Sequence, residues 1–186
     1  MKNSKNLNSV KNFVATWKNR GYEKGETHSF WLSFLRDILN ISEPEKFIKF
    51  EVSVKLKHKS FIDAFLPDTK VIIEQKSSSV NLSQEKNQSD GEFLTPFEQA
   101  QRYGVGLPVS MHPQKIIVCN FTEFLIYDME TLPNLKKFCL KNCQKNFLRL
   151  IFSSTKQKIK FGLNLNFHLK PAKLSAIFMT LCTNNI

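Results

Sequence analysis

Apolar positions along this chain alternate between helical and strand spacing, and each change of period marks an element. Val10, Phe13, Val14 and Trp17 recur on one helix face, predicting a helix over 10–20 that Gly21 stops. The preceding residues are rich in Asn, Lys and Ser and are expected to fray. A second helix is predicted over 25–39, burying Phe30, Trp31, Phe34, Leu35 and Ile38 and ended by Glu43-Pro44. The period then shortens to two. Phe50, Val52, Val54 and Leu56 alternate along a strand over 47–56, and two further strand-like runs cover 60–65 and 71–75, joined by Pro67-Asp68. Residues 77–92 are polar, include Asp90-Gly91, and read as a mobile loop.

A third helix opens at Leu94-Thr95-Pro96, with Thr95 as N-cap and Pro96 in first position, and carries Gln99 and Tyr103 one turn apart. Strands over 115–119 and 123–127 follow, joined at Asn120-Phe121-Thr122. Leu135, Phe138, Cys139 and Leu140 have near-helical spacing and predict a last helix over 134–147. The fold class is therefore α/β: a mixed sheet flanked by helices.

Length and composition narrow this picture. A chain of 186 residues, 41% hydrophobic and 12% aromatic, can bury one sizeable core, which argues for one domain. Seventeen Phe stand against three Tyr, a bias that fits an A+T-rich genome. The net charge of +11 favours an acidic partner such as nucleic acid, although a lysine-rich, A+T-biased proteome would give the same excess. No apolar stretch approaches a membrane span. Cys119, Cys139, Cys143 and Cys182 lack the close pairs of a zinc ribbon, so a reduced, cytoplasmic setting is expected. His28, His58, His112 and His168 have no mutual spacing suited to a metal. Gly104-Val105-Gly106 follows a helix instead of opening one, and no Ser-His-Asp arrangement is visible.

The candidate chemistry lies where two strand runs end in acids. Phe61-Ile62-Asp63 is followed by Pro67-Asp68-Thr69-Lys70, then Val71-Ile72-Ile73 and Glu74-Gln75-Lys76. In a strand, Glu74 and Lys76 share one face while Gln75 points to the other. If the two runs pair, Asp63 approaches that face. Two carboxylates and an ammonium can hold Mg²⁺ and orient a water, which is the equipment for hydrolysing a phosphodiester. A surface salt-bridge cluster is the alternative for such residues.

Asp, a spacer and Glu-x-Lys at a strand end resemble the PD-(D/E)XK nuclease signature, and Gln99-Ala100-Gln101-Arg102-Tyr103 resembles the Gln-x-x-x-Tyr helix of its RecB-like branch. Glu26-Thr27-His28-Ser29-Phe30-Trp31, Leu94-Thr95-Pro96 and Ile117-Val118-Cys119-Asn120-Phe121 stand around these in an order that resembles the amino-terminal nuclease domain of MmeI-like restriction enzymes. That resemblance implies a restriction-endonuclease-like sheet and a Mg²⁺-dependent endonuclease acting on double-stranded DNA. Asp63, Glu74 and Lys76 would be catalytic, and Asp63, Glu74 and the Gln75 carbonyl would be metal ligands. Gln99 and Tyr103 would position the DNA backbone or the lysine. Related nucleases also place a helix acid near the metal; Glu26 fits this by position, Glu23 equally so. Glu51 is expected to pair with a lysine.

In that family one polypeptide also carries a helical spacer, an adenine methyltransferase using S-adenosylmethionine, and target-recognition regions. This chain has no Asp-Pro-Pro-Tyr-type motif, so S-adenosylmethionine belongs only to such a parent. The expected layout is a frayed segment over 1–11, a nuclease domain over 12–153, and over 154–186 a truncated or frameshifted start of the spacer. A one-base change of frame over 170–186 permits an amphipathic helix in its place. The competing reading is a catalytically silent remnant or interaction module of a broken restriction-modification gene.

Overall fold

The computed structural model describes residues 2–56, 59–88, 90–130 and 135–139. The chain divides into compact units over 1–155 and 156–186, and every described residue belongs to the first. The expectations for the helix beyond Cys139, the spacer over 154–186, Cys143, Cys182, His58 and His168 lie outside the described residues.

Helix α1 (Lys2–Trp17) starts earlier than its apolar pattern implied, so residues 2–10 are helical where fraying was expected. Helix α2 (Glu23–Ser33) runs on into a π-helical turn at Phe34–Ile38, and together they fill the span predicted for the second helix. Strands β1 (Lys49–Lys55), β2 (Lys59–Leu66) and β3 (Val71–Gln75) form an antiparallel meander. A short 3₁₀ turn at Pro67–Thr69 joins β2 to β3, with Lys70 in the left-handed region at φ 50°.

Two short strands, β4 (Lys86–Asn87) and β5 (Phe93–Leu94), pair within the polar segment expected to be a mobile loop. That segment is pinned. Leu82 is buried in the core, Asn120 Nδ2 donates to the Val80 carbonyl at 2.9 Å, and Arg102 bridges Asp90 and Glu92. Polarity suggested mobility, but the anchors come from distant parts of the sequence.

Helix α3 (Pro96–Val105) begins with a complete capping box: Glu98 N donates to Thr95 Oγ1, and Thr95 N donates to Glu98 Oε2. It crosses over to β6 (Lys115–Cys119), which lies parallel to β3, and β7 (Glu123–Asp128) turns back antiparallel through Asn120-Phe121-Thr122. Asn120 Oδ1 holds this turn by accepting from Thr122 N and Glu123 N. Beside β7 lies β8 (Leu135–Cys139), a strand where a helix was predicted. Five residues satisfy either period, and the free edge of β7 supplies the backbone partners that decide the outcome.

The sheet order is β1-β2-β3-β6-β7-β8, which puts β3 and β6 at its centre with all five residues of each buried. One face packs on α1 and α2 through Phe13, Trp17, Phe30, Trp31, Phe34 and Phe124. The other packs beneath α3, where Ala100 and Leu107 meet Ile62, Phe65, Ile72 and Ile116. Among the described residues no helix is long and apolar enough to cross a membrane.

Candidate active site

The pleat of β3 sorts its residues as alternation requires. Gln75 shares the face of Val71 and Ile73, which pack against the aromatic helices, and its Oε1 accepts from Trp31 Nε1 at 2.8 Å. Glu74 shares the face of Ile72, under α3. Lys76 Nζ donates to Glu74 Oε1 at 2.5 Å, so the acid and the amine expected to share a face are in direct contact.

Asp63 reaches the same place through a break in the pairing of β2 with β3. The ladder runs from Leu66↔Val71 to Ala64↔Ile73 and stops; one residue further, Asp63 Oδ2 accepts from Gln75 N at 2.7 Å. The carboxylate thus takes the position of a strand carbonyl. Nearby, β1 and β2 change face together. Phe50 packs with the aromatic cluster and Val52 with the α3 cluster, while across the ladder Ala64 belongs to the first and Ile62 to the second. Residues two apart on a regular strand would share a face. Between them stand Glu51 and Asp63, bracketed by the pairs Phe50↔Ala64 and Val52↔Ile62, and Glu51 has φ 50°. A left-handed residue without glycine's freedom is strained, and such strain concentrates at functional sites.

Electrostatics follow from burial. Burial, followed by the neighbouring Asp63 carboxylate, pushes Glu74 up to about 8. Burial likewise raises Asp63 to about 6, against the pull of Lys76 and the Gln75 N–H. Burial alone would lower Lys76, but the carboxylates of Glu74 and Asp63 outweigh it and push the ammonium up to about 12. Glu74 Oε2 is buried with no hydrogen-bond partner. The cluster therefore sets two carboxyl groups against one ammonium and leaves a buried acid oxygen unsatisfied.

Those features fit a divalent cation with hard oxygen ligands. Among the described residues no group of three or more His, Cys, Asp and Glu side chains is placed to hold an ion. The protein would supply two carboxylates, with water and substrate oxygen completing the shell. Mg²⁺ is bound in that way, because it sheds its waters reluctantly.

The helix acids separate clearly. Glu26 turns away: its carboxylate accepts from Gly21 N, Tyr22 N and Arg20 Nε, capping the start of α2. Hydrogen bonds from the Tyr22 N–H and Arg20 hold it below the usual carboxylate range. Glu23 faces the cluster instead. Its Oε2 accepts from Ser77 N at 2.9 Å, one residue past Lys76, and its charge is felt by Asp63, Glu74 and Lys76. Both acids lie in the first turn of α2, so helical spacing could not separate them; Arg20, which captures Glu26, was the available signal. Glu51 forms no ion pair with a lysine among the described residues, and its charge acts on Asp63. On α3, Gln99 Nε2 donates to Tyr103 Oη at 2.9 Å, so the two side chains form one unit.

An antiparallel meander joined through a helical crossover to a parallel strand, with helices on both faces, is a restriction-endonuclease-like α/β fold. The family model for "MmeI, N-terminal domain" matches residues 5–163, and the chain belongs to that family, which fits the nuclease region of a DNA-acting restriction-modification enzyme. No curated protein and no solved structure matches the chain significantly.

Proposed function

We propose that this chain is the cutting module of a restriction-modification enzyme, a Mg²⁺-dependent endonuclease for double-stranded DNA. The observation that carries the reading is Glu74: a fully buried carboxylate beside Asp63, with one oxygen held by Lys76 and the other unpartnered. A purely structural ion pair would leave no such deficit.

Asp63 and Glu74 would hold the ion, with the Gln75 carbonyl as a further oxygen. Bound there, Mg²⁺ supplies Lewis-acid stabilisation of the phosphoryl oxygens and lowers the pKa of a coordinated water. Water oxygen attacks phosphorus in line, one P–O ester bond breaks, and the water's proton leaves to solvent while the departing oxygen is protonated. Lys76 does not take that proton. An ammonium paired with Glu74, within the field of Asp63 and pushed up to about 12, stays charged at neutral pH, so its part is to orient the water and offset charge on the phosphate. Gln99 and Tyr103, tied to each other on α3, would position the DNA backbone or Lys76. Glu23 fixes the end of β3 through Ser77.

Relaxation of supercoiled plasmid with Mg²⁺ or Mn²⁺, wild type against Lys76→Ala, tests the reading. Loss of cleavage in the variant alone supports it. Equal cleavage by both proteins indicates a contaminant and removes it. Salt-dependent DNA binding with no cleavage by either selects the silent-module reading.

A further inference from the structure

Resting on the reading of this chain as a DNA nuclease, we propose that the β1–β2 hairpin is a DNA arm, in which Lys55 and Lys59, opposite one another on its exposed side, grip a phosphate. Cross-strand pairing places Lys55 opposite Lys59 and Ser53 opposite Phe61, and the flanking pairs bring Glu51 opposite Asp63. Glu51, Ser53, Lys55, Lys59 and Phe61 are all exposed, while Val54 and Ile62 face the core. One solvent-facing strip thus runs from a pair of ammoniums, past an exposed aromatic ring, up to Glu51 and Asp63, where the hairpin changes face.

Like charges directly opposite one another cost stability unless a counter-charge sits between them. Among the described residues no carboxylate forms an ion pair with Lys55 or Lys59, and residues 52–62 contain no acid at all. Lys59 Nζ lies 5.2 Å from the centre of the Phe61 ring, which draws the ammonium along the strip toward Asp63. Four residues of strand separate Lys59 from Asp63, about 13 Å at about 3.3 Å each. That is roughly four base-pair rises of B-DNA, and a two-stranded ribbon is an element that the major groove admits. A phosphate held at the lysine pair would fix the register of the duplex on the site. The alternative role for lysines on β1, an edge strand, is to block edge-to-edge pairing with another chain.

The test is binding of the full chain to a 30-base-pair duplex, followed by fluorescence anisotropy over a salt series in Ca²⁺. Wild type is compared with Lys55→Ala/Lys59→Ala, with Lys59→Ala alone in case the double variant folds poorly, and with Lys46→Ala as a control on an exposed lysine engaged by Glu43. The double variant should bind about tenfold more weakly at 0.1 M salt, its log K against log salt slope should fall by about 2, and plasmid cleavage should show a raised KM with little change in kcat. Lys46→Ala should match wild type. A double variant with the wild-type slope overturns the arm and leaves the nuclease reading intact, as does one that keeps its slope and self-associates, which identifies edge protection. Absence of any salt-dependent binding by wild type overturns both. Binding lost in Lys76→Ala with the slope intact in the hairpin variants also places the phosphate grip elsewhere.

Discussion

The two faces of β3 bury polar groups under opposite terms. Toward α2, each polar side-chain atom of Gln75 has a partner: Oε1 accepts from Trp31 Nε1 and Nε2 donates to the Lys76 carbonyl, while its main-chain N–H is taken by Asp63. Toward α3, one residue earlier, Glu74 is equally buried and has an oxygen with no partner. Full satisfaction ties a helix to a sheet; a standing deficit of positive charge invites a ligand. On the proposed reading, a single strand separates a structural polar group from a functional one by a step of one residue.

The sharpest way to break this contrast is Glu74→Gln. Its shape is kept and its charge removed, so cleavage should fall by about 10³ or more, equivalent to about 4 kcal/mol of transition-state stabilisation. Plasmid cleavage measures it, and a tenfold loss or less would reduce Glu74 to a structural role. On the opposite face, Gln75→Leu should act through stability. It leaves the Trp31 N–H and the Lys76 carbonyl without their partner, at about 2–4 kcal/mol in all. A melt should drop by about 5–15 °C, while kcat at low temperature stays within a few-fold of wild type.

Acidity sharpens the comparison further. Asp63 and Glu74 hold protons more tightly in the folded protein than in the unfolded chain, because both are raised. Their contribution to stability is therefore complete below their ordinary values, near pH 4, and is lost as pH rises through about 6 for Asp63 and about 8 for Glu74. In EDTA the melting temperature should decline between pH 5 and 8.5, and Glu74→Gln should flatten the upper part of that decline. Added Mg²⁺ should raise the melt more at pH 8 than at pH 5.5, since only the deprotonated acids bind it. A larger gain at pH 5.5 would contradict the assignment of those two carboxylates.

Much of this site was legible before any coordinates. Strand period assigned β2 and β3, Pro67-Asp68 marked their turn, and alternation placed Glu74 and Lys76 together with Gln75 opposite. What stayed hidden depends on contacts distant in sequence. The face change at Glu51 and Asp63 needs a positive φ that no residue type announces, since Glu is not a usual left-handed residue. That Glu23 is the acid facing the cluster shows only through Ser77, 54 residues further along the chain, although Arg20, which captures Glu26, was a local signal. The strand at Leu135–Cys139 and the anchored 77–92 segment depend on partners already folded elsewhere.

The smallest expected effect tests how far the α3 side of the contrast depends on the helix itself. Thr95→Ala removes the acceptor of Glu98 N and half of a capping box at the exposed start of α3, a loss of about 1 kcal/mol, or about 2–4 °C. Gln99 and Tyr103 begin one turn later and are tied to each other, not to the cap. Cleavage well below the melt should therefore stay within about twofold of wild type, because a fraying cap shifts the folded fraction and leaves the packed middle of α3 in place over Ile72. If cleavage fell tenfold while the melt moved only a few degrees, the first turn of α3 would belong to the DNA-contacting surface. The functional face of β3 would then extend beyond the pair of acids to the helix end above it.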